Sequence, residues 1–132
     1  MLNKSPGGSV FPYYYKGGEV HCLKYGSFFE KKDELFALMQ AEEQFIAETN
    51  RKLKIWVDFY QTAKTKEVLL EFVHNLQRLS GYISKLSIVG FSASDRWRLR
   101  SALRKSGIEL TMPLKFFSDP EDAKTWLVQE KV

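Results

Sequence analysis

Hydrophobic and polar positions along this chain follow two alternating periods, and the switches between them mark its elements. Leu53, Ile55, Val57 and Phe59 recur at every second residue, the spacing of a strand with one buried face. On either side the spacing is helical. Residues 30–50 place Leu35, Leu38, Met39, Phe45, Ile46 and Thr49 on one stripe, and Val68, Leu69, Phe72, Val73, Leu76 and Leu79 form a second, with Gly81 as its expected stop. Leu86-Ser87-Ile88-Val89-Gly90-Phe91 is short and mostly apolar, which suits a strand buried on both faces. Ser92 and Asp95 stand at capping-box spacing ahead of a third helix, which turns Leu99, Ala102 and Leu103 inward and stops near Gly107. Leu114-Lys115-Phe116-Phe117 reads as the last strand. Asp119, Pro120 and Asp122 then open a final helix that buries Ala123, Trp126 and Leu127.

At the start of the chain, Val10 to Tyr15 and Glu19 to Tyr25 are both β-prone, and Lys16-Gly17-Gly18 between them tolerates positive φ. A β-hairpin is expected. Pro12 has no amide hydrogen to donate, which puts the first strand at a sheet edge. The order is ββαβαβαβα and predicts an α/β fold: a mixed five-stranded sheet with four helices packed on it. Right-handed crossovers make the strands from Leu53, Leu86 and Leu114 parallel, with the first strand antiparallel. Residues 1–9 are rich in Ser, Pro and Gly and are expected to form a flexible tail, with residues 10–132 as a single domain.

Composition narrows the function classes. Hydrophobic residues at 44% and charged residues at 27% exclude a disordered chain. No apolar run reaches membrane-spanning length, and Met1 to Ser9 has no signal-peptide character. Cys22 is the only cysteine, so no internal disulfide can form and a reducing, cytoplasmic location is expected. The net charge of +4 is mild, and one basic helix is a short electrostatic footprint, so nucleic-acid binding is not expected.

Templates for catalysis come up empty. His21 and His74 are the only histidines, neither has an evident partner, and with Cys22 they make no metal pattern. There is no glycine-rich phosphate loop and no nucleophile motif. Cys22, in a strand, reads as a small core residue. No catalytic residue, metal or cofactor is expected, and the chain is read as a non-enzyme.

Three places remain for function. Glu42 falls inside the apolar stripe of the first helix, where a carboxylate must be paired, protonated or beside a pocket, unless a small roll of the helix carries it outward. The carboxyl ends of the parallel strands gather Asp58, Tyr60, Gln61, Thr62 and Thr65 from one loop and Ser92, Ser94 and Asp95 from another. Such an edge can hold an anion or accept phosphorylation, and the same residues also serve as helix caps. Third, Trp97 lies nearly opposite Leu99 on the third helix, with Arg100 and Arg104 on that outward side. Tryptophan beside arginine is the composition of a protein-contact surface.

The chain from about Val10 to Leu127 resembles the STAS superfamily, in particular its SpoIIAA-like branch. The residues that carry the resemblance are Leu53-Lys54-Ile55-Trp56-Val57-Asp58-Phe59, the run Leu86-Ser87-Ile88-Val89-Gly90 leading into Asp95-Arg96-Trp97, and the closing stretch from Phe117 to Leu127. The resemblance implies a non-enzymatic regulatory or protein-interaction module. In some branches it implies a binder of lipids or other small ligands. Anti-sigma antagonists of that family present an Asp-Ser pair where the helix after the Asp58 strand begins. Here the stretch reads Gln61-Thr62-Ala63-Lys64-Thr65-Lys66, with Thr65 nearest that position. A protein partner is therefore the first expectation, and a small anionic or lipid-like ligand the alternative.

Overall fold

The strand expected from Val10 to Tyr15 breaks at Pro12. In the computed structural model, which describes residues 3–129, Val10–Phe11 (β2) pairs antiparallel with Asn3–Lys4 (β1). Tyr13–Tyr15 (β3) pairs antiparallel with Gly18–Lys24 (β4) instead. Lys16 at φ 48° and Gly17 at φ 84° make the turn of that second hairpin, as a two-residue connection requires. The segment expected as a loose tail is thus ordered from Asn3 on, with Ser5 and Ser9 buried. Residues 1 and 2 lie outside the described residues.

Helix and strand then alternate as Lys32–Thr49 (α1), Leu53–Asp58 (β5), Lys66–Leu79 (α2), Ile83–Val89 (β6), Ala93–Lys105 (α3), Leu114–Phe117 (β7) and Pro120–Val128 (α4). The main sheet has the order β3-β4-β5-β6-β7, with β4 to β7 parallel and β3 antiparallel at the edge. The α/β fold with its mixed five-stranded sheet and four helices is the one the periodicities predict. Gly107, at φ 67°, follows the end of α3. Gly81 does not stop α2 as a left-handed cap; it sits in a 3-10 turn, Ser80–Tyr82, that leads directly into β6.

Side chains alternate across the sheet, so its two faces differ. Leu53, Ile55 and Val57 of β5 join Leu35, Met39 and Ile46 of α1, Leu69, Phe72 and Leu76 of α2, and Leu99 of α3 in one apolar core. The other face carries Lys54, Trp56 and Asp58, and α4 is the helix that lies on it. Asp119 and Pro120 start α4 as expected, with the Asp119 carboxylate accepting from the Glu121 amide at 3.1 Å. Lys85 of β6 donates to the Trp126 and Gln129 carbonyls and lies 4.4 Å from the Trp126 ring centroid. A buried ammonium therefore joins the carbonyls at the end of α4, of which that of Trp126 also accepts from the Gln129 amide at 3.3 Å.

Of the readings open for Glu42, the structure shows the paired one. Helix α1 does not roll to expose it: the residue is 0% exposed. Its Oε2 accepts from the Ser5 hydroxyl at 2.9 Å and from the Gly7 amide at 3.0 Å, and its Oε1 pairs with His21 Nε2 at 3.1 Å. His21 thus has the partner that the sequence did not suggest. The Ser9 hydroxyl donates to the Cys22 carbonyl at 2.7 Å, and Phe11 meets His21 and Phe45 edge-on. Together these contacts tie the N-terminal hairpin to α1 and β4. Replacing Glu42 with Leu leaves a hydroxyl, an amide and an imidazole buried without their acceptor, and should cost about 3 kcal/mol or more in urea unfolding. Ser5→Ala should cost about 1 kcal/mol. A loss below about 1 kcal/mol for Glu42→Leu would show that the carboxylate does not anchor this segment.

Candidate functional site

The strand-end edge is largely accounted for by its own internal bonds. Thr65 Oγ1 accepts from the Val68 amide at 3.1 Å as the N-cap of α2. Ser92 and Asp95 form a reciprocal capping box at 3.0 and 3.1 Å. Thr62 is buried; its hydroxyl donates to the Tyr25 carbonyl at 2.7 Å and accepts from the Phe28 amide at 3.1 Å. Asp58 accepts from the Tyr60 amide at 3.0 Å, and the Tyr60 hydroxyl donates to the Ser118 carbonyl. Ser94 stands exposed in the first turn of α3. Apart from Ser94, these polar groups hold loops and helix starts in place, so the edge offers few unengaged donors to a ligand.

The third helix gives a different result. Leu99 is fully buried and Trp97, nearly opposite it, is 65% exposed. Arg100 and Arg104 are exposed, as expected of the outward side of this helix. Arg100 turns its guanidinium over the Phe116 ring of β7 at 5.5 Å, beside Arg96 at 5.3 Å. Neither Arg100 nor Arg104 lines the groove that Trp97 borders. That groove lies between α2 and α3, has a volume of about 400 Å³, and takes its walls from Leu69, Leu70, Trp97, Ser101 and Ala102.

Lys66, Arg98 and Lys105 rim this groove, and no acidic residue lines it. Arg98 reaches Asp95 at 3.5 Å, one turn back along α3. Lys66 and Lys105 take part in no salt bridge among the described residues. Leu70 completes the apolar strip at 43% exposure. The sequence held a signal for it: Leu70 falls outside the stripe formed by Val68, Leu69, Phe72, Val73 and Leu76, an unprompted apolar residue on the polar side of α2. The three basic rim residues carried no comparable signal, because their common orientation depends on how α2 sits against α3.

His21, Glu42 and Cys22 are buried, while His74 is half-buried on α2. His21 and Glu42 make a histidine–carboxylate pair, but at 1% and 0% exposure neither reaches a solvent cleft. His21 Nδ1 has no partner among the described residues. Burial first, and then the nearby charge of Asp58, push the Cys22 thiol up to about 12. A thiol so shifted is almost wholly protonated at neutral pH and a poor nucleophile. Native protein should therefore react slowly with a thiol reagent at pH 8, and react fully once unfolded in guanidinium. Rapid stoichiometric labelling of the folded protein would contradict a buried, protonated Cys22.

Comparison of the chain with protein-family models, with curated proteins and with solved structures finds no match.

Proposed function

We propose that this chain is a non-enzymatic regulatory or protein-interaction module of STAS type, and that its partner docks in the groove between α2 and α3. The observation that carries this reading is Trp97, 65% exposed beside Leu70 in an apolar groove whose charged lining residues are all basic. An exposed tryptophan at the edge of a concave apolar surface is the composition of a binding hot spot. The rim defines the partner further. Lys66, Arg98 and Lys105 favour acidic residues, and a channel between two helices accepts the apolar face of a third. The occupant is accordingly an acidic amphipathic helix. The STAS resemblance, which implies protein binding without catalysis, points the same way, and the sheet with its alternating helices is compatible with it.

Selection from a displayed library of helical peptides tests this reading and needs no identified partner. Binders should carry Glu or Asp around apolar residues spaced three and four apart. Trp97→Ala should weaken the best of them about 30-fold, the ~2 kcal/mol of a hot-spot residue. It should shift unfolding free energy by only about 0.5 kcal/mol, as an exposed substitution does. If Trp97→Ala instead destabilised the fold by about 3 kcal/mol or more, the side chain would belong to the core and the groove would lose its anchor. Binders indifferent to Trp97→Ala would equally overturn the proposal.

A further inference from the structure

On the opposite face of the sheet, where α4 leaves β4 and β5 partly uncovered, lies a second and smaller cavity of about 200 Å³. Gly8, Ser9 and Val10 of the N-terminal hairpin form one wall, with Tyr13 of β3 and Trp56 of β5 as aromatic sides and Cys22 beneath. Two ammonium groups, Lys24 and Lys124, complete the lining. We infer that this cavity binds a small planar aromatic anion, stacked against Trp56 and Tyr13 with its charged group on Lys24 and Lys124.

The arrangement of Lys124 is the main reason. Its Nζ lies 4.7 Å from the ring centroid of Tyr15, 5.5 Å from that of Trp56 and 5.9 Å from that of Tyr13. Three rings hold the ammonium by their electron-rich faces. Cation–π contact positions a cation without neutralising it, whereas a carboxylate would do both. Neither Lys24 nor Lys124 takes part in a salt bridge among the described residues. Asp58 lies across from Lys24 in the strand register, but its Oδ1 already accepts from the Tyr60 amide at 3.0 Å. The site therefore presents two ammonium groups in no salt bridge, Lys124 held against three rings and Lys24 exposed at the rim, with Asp58 as the neighbouring acid.

Size and polarity set the ligand class. A cavity of 200 Å³ is smaller than the ~300 Å³ at which drug-sized sites begin, so it suits a single ring. The Trp56 and Tyr13 walls favour a flat π-system, and the paired lysines reject a cation. The hydroxyl of Ser9 is already donated to the Cys22 carbonyl, so that wall offers mainly backbone and the apolar Val10. Cys22, 9% exposed and protonated, acts as a floor and takes no covalent part.

Heteronuclear NMR titration of the full chain tests the inference with four one-ring probes: benzoate, phenyl phosphate, benzyl alcohol and benzylamine. Benzoate or phenyl phosphate should shift the Trp56 indole signal and the Gly8, Ser9 and Cys22 amides. Benzyl alcohol should bind at least tenfold more weakly and benzylamine not at all. Lys124→Gln and Lys24→Gln should each lower anion affinity about tenfold, as loss of a charged hydrogen bond does. Lys105→Gln, in the groove on the other face, should leave it unchanged. Three outcomes would overturn the proposal: no shifts with either anion, equal or tighter binding of benzylamine, or shifts that survive Lys124→Gln. Because the probes report on Trp56 rather than Trp97, failure here is distinguishable from failure of the α2–α3 groove.

Discussion

Four parallel strands lie side by side in the order in which they occur in the chain, and that arrangement governs the rest of the molecule. Connections between neighbouring parallel strands cross over with one hand as a rule, and α1, α2 and α3 accumulate on a single face. Their apolar stripes meet Leu53, Ile55 and Val57 and close one core. The helices themselves must then sit next to each other, and a groove opens wherever the residues along their outer seam are too small to fill it. Ser101 and Ala102 are such residues, and the α2–α3 groove lies over them. The second face carries one short helix, α4, while the N-terminal hairpin packs against α1 and β4. Gly8, Ser9 and Val10 of that hairpin meet Trp56 and Lys124 at the small aromatic cavity.

Both added pieces are fastened by buried polar groups as well as by apolar contact, with Ala123 and Leu127 of α4 fully buried and Phe11 of the hairpin packed on His21 and Phe45. Lys85 reaches the carbonyls at the end of α4, and Glu42 gathers Ser5, Gly7 and His21. Such anchors are directional: each fixes a position and an orientation, where apolar contact alone would allow sliding. They also carry a penalty if half-broken, since the remaining partners cannot turn to water. The ordering of the N-terminal hairpin therefore depends on one side chain of α1, although the hairpin itself is short and rich in glycine.

What was legible in the sequence was the part written in periodicity. The strand at Leu53, the three stripes and the capping residues Thr65, Ser92 and Asp119 each signal their element locally, and the sheet follows from their order. Contacts that join distant positions were not legible. The contradiction at Glu42 was visible, but its three donors come from positions 5, 7 and 21 and share no pattern with it. The break at Pro12 was half legible: the missing amide hydrogen marks an interruption, while the return of Val10–Phe11 onto Asn3–Lys4 depends on where the chain goes afterwards. On α3 the helical angle of Trp97 gave its exposure correctly. The same angle gave Arg100 as exposed, and its long side chain leans over Phe116 of β7, a contact the angle does not show.

A partner can use the α2–α3 groove only if the fold holds Trp97 open to solvent, whereas Trp56 and Trp126 lie against the sheet and α4. Hydroxyl-radical footprinting with mass spectrometry measures this directly, since all three tryptophans are read in one experiment on one folded sample. Trp97 should be modified several-fold faster than either of the others, and the three rates should converge when the protein is unfolded. Modification of Trp97 as slow as that of Trp126 in the folded, monomeric protein would contradict an open anchor on α3.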